Sequence, residues 1–201
     1  MKHVLLTSII LSLCSATLAQ QPTACQGKQP RDVVEEYWRT ATRGEFLAKD
    51  GWAKQASFFS GSSSSPKSRV IYVVSDDWDV GPATAAGNQA QVIVDFAPAG
   101  EIDSLLRYTA PARTDADKQG MLYRLTCAPT SFTDLRIESN GLKTSRTREG
   151  PPAWLVDGSP KDVLATVNAT IRYVLEVKRT TKDPALRKNA DETLTKLLRL
   201  H

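Results

Sequence analysis

The chain has 201 residues, with 26 lysines and arginines against 22 acidic residues, a formal charge of +4 at neutral pH. Charged residues make up 24% and hydrophobic ones 41%, close to the globular average, which excludes a chain disordered throughout. So slight a positive excess also excludes the dense basic face of a nucleic-acid binder.

Met1–Ala19 has the form of a secretory signal peptide. Lys2 marks the basic end, Val4–Leu13 is the apolar segment, and Thr17-Leu18-Ala19 offers small residues for cleavage. The apolar run is too short to cross a bilayer, and no later stretch approaches the ~18 residues a span needs. The expectation is a soluble protein, secreted or periplasmic, without a membrane span. Lys2 is the only charge in 1–19, so cleavage near Ala19 takes the balance from +4 to +3. It also removes His3 and leaves His201 as the sole imidazole. Leu13 is bulky where lipoprotein leaders carry a small residue, which argues against Cys14 as a lipidated N-terminus. Cys25 and Cys127 remain, and in an oxidising compartment a single disulfide is the natural reading, with two free thiols as the alternative.

Residues 20–29 form a polar tether. Pro30 then suits a first helical turn, and Val33, Val34, Tyr37, Trp38 and Ala41 recur at helical spacing before Gly44 stops the helix. Asp50 is expected to cap a shorter helix with Trp52, Ala56 and Phe59 on one face. Gly61–Ser65 and Pro66 make a loop. The period then changes. Val70–Val74 reads as a strand ended by an acidic turn at Asp76-Asp77, and Gln91–Phe96 as one that alternates Val92, Val94 and Phe96 against Gln91, Ile93 and Asp95. Leu105–Thr109 and Met121–Cys127 are further strands, joined by a polar loop from Pro111 to Gly120. Leu135–Glu138 and Ala153–Val156 finish the set, separated by a basic loop with Lys143, Arg146 and Arg148. Ser159, Pro160 and Asp162 form a helix-start box, followed by an apolar face through Val163, Leu164, Val167, Ile171, Val174 and Leu175. Asp183-Pro184 opens a last helix with Leu186, Ala190, Leu194, Leu197 and Leu198 as its stripe.

The order of elements from Pro30 to about Val156 resembles the SnoaL-like, nuclear-transport-factor-like superfamily. The carriers are PRDVVEEYWRTATRGEF, DGWAKQASFF, QVIVDFAPAG and PAWLVDG. The resemblance implies an α+β fold, with N-terminal helices on a curved antiparallel sheet that wraps into a cone. The organisation expected is a leader at 1–19, a flexible tether at 20–29, a cone-like domain at 30–158 and a C-terminal helical hairpin at 159–201 packed on it. The hairpin is an addition to the family pattern, able to plug the cone or to pair two copies into a homodimer.

The chemistry is bounded mostly by what is missing. Without an internal histidine no Ser-His-Asp or Cys-His system and no histidine-based zinc site can be built. Ser64-Ser65-Pro66-Lys67 matches Ser-x-x-Lys and Lys143-Thr144-Ser145 echoes Lys-Thr-Gly, but the third motif of those enzymes is absent. Asp76, Asp77 and Asp79 lack the glycine and distant glutamate of a calcium loop, so a solvated turn is expected and no metal. Asn168-Ala169-Thr170 spells a glycosylation sequon inside a helix. In the superfamily's isomerases a strand-borne Asp can serve as general base beside a tyrosine, which here implies Asp95 with Tyr123 or Tyr37. Alternation alone places Asp95 on a solvent-facing side. Tyr37, Trp38, Trp52, Tyr123 and Trp154 would line an open cone, and otherwise fill its core. The expected function is a non-catalytic module that binds a small apolar ligand or a protein partner, without cofactor. The alternative is an isomerase- or dehydratase-type enzyme using Asp95.

Overall fold

The computed structural model describes Cys25 and residues 27–61, 70–111, 118–137, 143–158 and 162–200, with backbone alone at 131–137 and 143–149. The expected leader with its cleavage at Ala19, most of the tether, the Ser64–Lys67 pair and the Ser159-Pro160 helix start lie outside these residues.

Helix α1 (Pro30–Thr42) forms as its stripe predicts, burying Val33, Val34, Tyr37, Trp38 and Ala41. A 3-10 turn (Glu45–Leu47) leads to α2 (Gly51–Ala56), where Asp50 holds the N-cap position without a side-chain hydrogen bond. The buried face of α2 is Gly51 and Gln55, not the expected Trp52, Ala56 and Phe59. Phe59 instead lies beyond the helix, bridged to Val156.

Seven strands follow: β1 (Ile71–Val80), β2 (Thr84–Ala86), β3 (Gln89–Ile102), β4 (Tyr108–Thr109), β5 (Gln119–Ile137), β6 (Lys143–Val156) and β7 (Val163–Thr166). They form one curled sheet in the order β6-β5-β3-β1-β7, with β2 and β4 also pairing β3. The pairings are antiparallel except β1–β7, which is parallel and makes the sheet mixed rather than purely antiparallel. A parallel neighbour needs a long crossover, and everything between β1 and β7 supplies it.

Three expectations change here. Asp76-Asp77 does not end a strand: β1 runs on to Val80, lengthened relative to β3 between the pairs Val74–Pro98 and Trp78–Phe96. This bulge leaves both aspartates exposed within the strand. The basic loop is also strand, because Lys143, Arg146 and Arg148 pair with Ile137, Asp134 and Phe132. Finally, Val163–Thr166 are strand, not the first turns of a helix, so the sheet continues past the expected domain boundary at 158. Hydrogen bonding to β1 overrides the helical pattern there. Asp162 does not box a helix but accepts from Val70 N–H through its carboxylate, at 3.1 Å, where β1 begins.

The terminal hairpin is α3 (Val167–Thr180) and α4 (Pro184–Leu197). Thr166 caps α3 by accepting from Ala169 N–H, and Asp183 caps α4 by accepting from Ala185 and Leu186. An ion pair of Lys178 with Asp191 links the two helices. Leu175 and Leu198, expected in the stripes, are exposed, while Thr170 and Thr193 are buried. Thr193 donates to Leu106 O at 2.6 Å and Asn189 to Leu105 O at 2.9 Å, so α4 clamps the turn in which Leu106 takes a left-handed φ of 59°. That turn reduces the expected strand at Leu105–Thr109 to the two residues of β4.

Candidate functional site

The alternation read for β3 holds in space: Val92, Val94 and Phe96 are buried against α1, and Gln91, Ile93 and Asp95 are exposed on the opposite face. Tyr123 on β5 pairs with Val92 and shares the buried face. Asp95 is therefore separated from both Tyr37 and Tyr123 by the thickness of the sheet, and the three do not assemble into an acid–base site. The cause is the strict period of two along β3, which sends Asp95 to the side facing water.

The tyrosines belong to an aromatic interior. Trp38 Nε1 donates to Tyr123 Oη at 2.9 Å, and the Trp38 ring lies 5.2 Å from Phe96 and 5.7 Å from Trp78. Tyr37 sits 5.9 Å from Tyr123, 5.3 Å from Phe46 and 5.5 Å from Phe58, most of these contacts tilted or edge-on as aromatic quadrupoles prefer. Gln55, fully buried, donates to Tyr37 Oη at 3.2 Å and to Asp162 O at 2.7 Å. Burial pushes the Tyr123 phenol well above its ordinary 10; the neighbouring Tyr37 adds to the rise, and the bond from Trp38 offsets part of it. Burial thus keeps the Tyr123 phenol neutral at physiological pH. Of the other aromatic candidates, Trp52 is half-buried on α2 and Trp154 is buried on β6.

The arrangement around Trp154 is different. Cys25 and Cys127 are joined as a disulfide, with Cα atoms 5.9 Å apart, and Trp154 is the register partner of Cys127 across β5 and β6. A cleft of about 320 Å³ opens here, walled by Trp154, Ala153 and Leu155 of β6, Val33 of α1 and Phe58 after α2. Lys28 and Glu36 form an ion pair at its edge. Trp154 Nε1 is buried and has no hydrogen-bond partner among the described residues, an omission that costs on the order of 1–3 kcal/mol. Lys28, Glu36, Phe58 and Thr130 carry no sequence motif and were not legible as site residues. The aromatic character of Trp154, the Cys25–Cys127 pair and the helical stripe through Val33 are what marked this region in the sequence.

Comparison with protein-family models, with curated proteins and with solved structures finds no match to the chain. Among the described residues, no group of three or more His, Cys, Asp or Glu side chains is placed to hold a metal ion. No helix among them is long and apolar enough to cross a membrane.

Proposed function

We propose that the chain is an exported, non-catalytic binding module of the SnoaL-like, cone-like type, whose interior serves packing and whose recognition lies at the rim. The observation that carries this reading is the Trp38–Tyr123 hydrogen bond, which commits both aromatic groups to each other while Asp95 stands on the opposite face. The disulfide is compatible with an oxidising, secreted or periplasmic setting after loss of residues 1–19. The helix-on-sheet packing of α1 and the length of the strands support the family reading; the parallel β7 and the terminal hairpin are additions to it.

Native mass spectrometry of protein taken from an exporting host tests it. The expected species lacks residues 1–19 and carries a small molecule, and the same spectrum gives the subunit count. Any isomerase- or dehydratase-type turnover that Asp95→Asn abolishes at unchanged melting temperature would replace this reading with the enzymatic one. Protein interaction is a second reading, favoured by Ile93 and Leu122, cross-strand partners that are 50% and 46% exposed on the outer face.

A further inference from the structure

The hydrogen-bond ladder along one side of β3 is interrupted. Pairing with β5 ends at Phe96–Gln119, and pairing with β4 begins only at Glu101–Thr109. A second cleft, of about 300 Å³, opens beside this gap, at the lower end of the range of small-molecule sites. Val74, Phe96, Pro98, Met121 and Leu164 supply its apolar walls. Phe96 joins it to the aromatic interior, because its ring packs on Trp38.

The polar lining is Tyr72, Glu101 and Gln119, all exposed. Tyr72 is the register partner of Glu101 on β3 and of Leu164 on β7, so the three stand in one row on one face. Glu101 is the one formal charge among the described residues of the lining. Neither its carboxylate nor the Tyr72 hydroxyl makes a hydrogen bond or ion pair with another described residue. Burial raises the Tyr72 phenol above its ordinary value of 10, and the negative charges of Glu101 and Asp162 raise it further. The row thus carries a negative local field, on a chain whose formal charge is +4. Carboxylates and phosphates meet that field with no lysine or arginine among these residues to offset it. A bare hydrocarbon would use the walls and leave the charge unanswered. An ammonium on an apolar body uses both, through an ion pair with the carboxylate and a cation–π contact with the tyrosine ring.

We propose that this cleft is a binding site for an organic amine, its apolar body against Phe96, Met121 and Leu164 and its ammonium held between the Glu101 carboxylate and the Tyr72 ring. The proposal rests on the binding-module reading and adds the place and the ligand chemistry.

The test uses the oxidised protein without residues 1–19, labelled with carbon-13 in its methionine methyl groups. The chain has two methionines, and Met1 leaves with the leader, so Met121 gives a single signal, assigned by its loss in Met121→Leu. Three probes of matched length are titrated: 4-phenylbutylamine, 4-phenyl-1-butanol and 4-phenylbutanoate. The expected result is a saturable shift of the Met121 signal with the amine and affinity about tenfold above that for the alcohol, the worth of one exposed ion pair and one cation–π contact. The butanoate binds more weakly than the alcohol. Glu101→Gln is expected to cut the preference for the amine to about threefold, and adding Tyr72→Leu to remove it. Both positions are exposed, so these variants should keep the fold. Gln119→Trp, also at an exposed position, keeps the charge, occludes the cleft and is expected to abolish binding of all three probes. Equal affinity for amine and alcohol, tighter binding of the butanoate, a preference unchanged in Glu101→Gln, unchanged binding in Gln119→Trp, or a Met121 signal that no probe moves would each overturn the proposal. Native mass spectrometry separates that failure from the failure of the parent reading. A compound that co-purifies equally with wild type and Gln119→Trp overturns the proposal and leaves the module standing with its site elsewhere, and wild type that retains no compound counts against the module itself.

Discussion

Two indoles, both buried, are treated in opposite ways by the same sheet. Trp38 stands at the centre of the inner face, its N–H bonded to Tyr123 and its ring packed on Phe96 and Trp78. Trp154 stands toward the edge, on β6, beside a cleft and without a partner for its N–H. The difference teaches that aromatic content alone does not distinguish core from site in this chain. The accounting of polar atoms separates the two, because the Trp38 donor is bonded and the Trp154 donor is not.

Four changes bear on that contrast, taken from the largest expected effect downward. Trp38→Ala empties the centre of the core and should lower unfolding free energy by about 3–5 kcal/mol in urea titrations, enough to unfold a marginal domain. Cys25→Ser with Cys127→Ser removes a link spanning 102 residues and should cost about 2–4 kcal/mol in the same measurement. Tyr123→Phe orphans the Trp38 N–H and should cost about 1–3 kcal/mol. That variant also changes the alkaline limb. The folded-state pKa of Tyr123 is raised above 10, so its contribution to stability is full below pH 10 and is lost as pH rises through the folded value. Tyr123→Phe should flatten this loss, leaving the slope due to Tyr72 and Tyr108, which burial also raises. Trp154→Phe, by contrast, deletes a donor that bonds nothing and should shift stability by less than about 1 kcal/mol. A loss there as large as that for Tyr123→Phe would erase the distinction between the two indoles.

Local rules read the helices at either end well. The stripe of α1 and the Asp183-Pro184 start of α4 are set by periodicity and capping, which depend on neighbours in sequence. The same holds for the two faces of β3, where every second residue is apolar. What escaped was set at long range. Val163–Thr166 carries the same apolar character as the helix after it, and only its pairing with Ile71–Val74 makes it strand. Residues 143–149 are too polar to announce a strand, and antiparallel pairing with β5 is what extends them. Gln55 gave no hint of burial, because its two acceptors, Tyr37 and Asp162, come from distant segments. The cleft beside Trp154 was invisible for a related reason: it is built from four separate stretches of chain, none with a motif.

The parallel alignment of β7 with β1 carries a cost in time. Synthesis runs from N- to C-terminus, so one flank of β1 stays bare from the making of Val80 until Val163 has been added. A bare flank of this kind templates strand addition by other chains. The nascent protein thus travels a long stretch of its synthesis with an adhesive border, and a ribosome that stops short of Val163 releases a product prone to clump, however complete its aromatic heart.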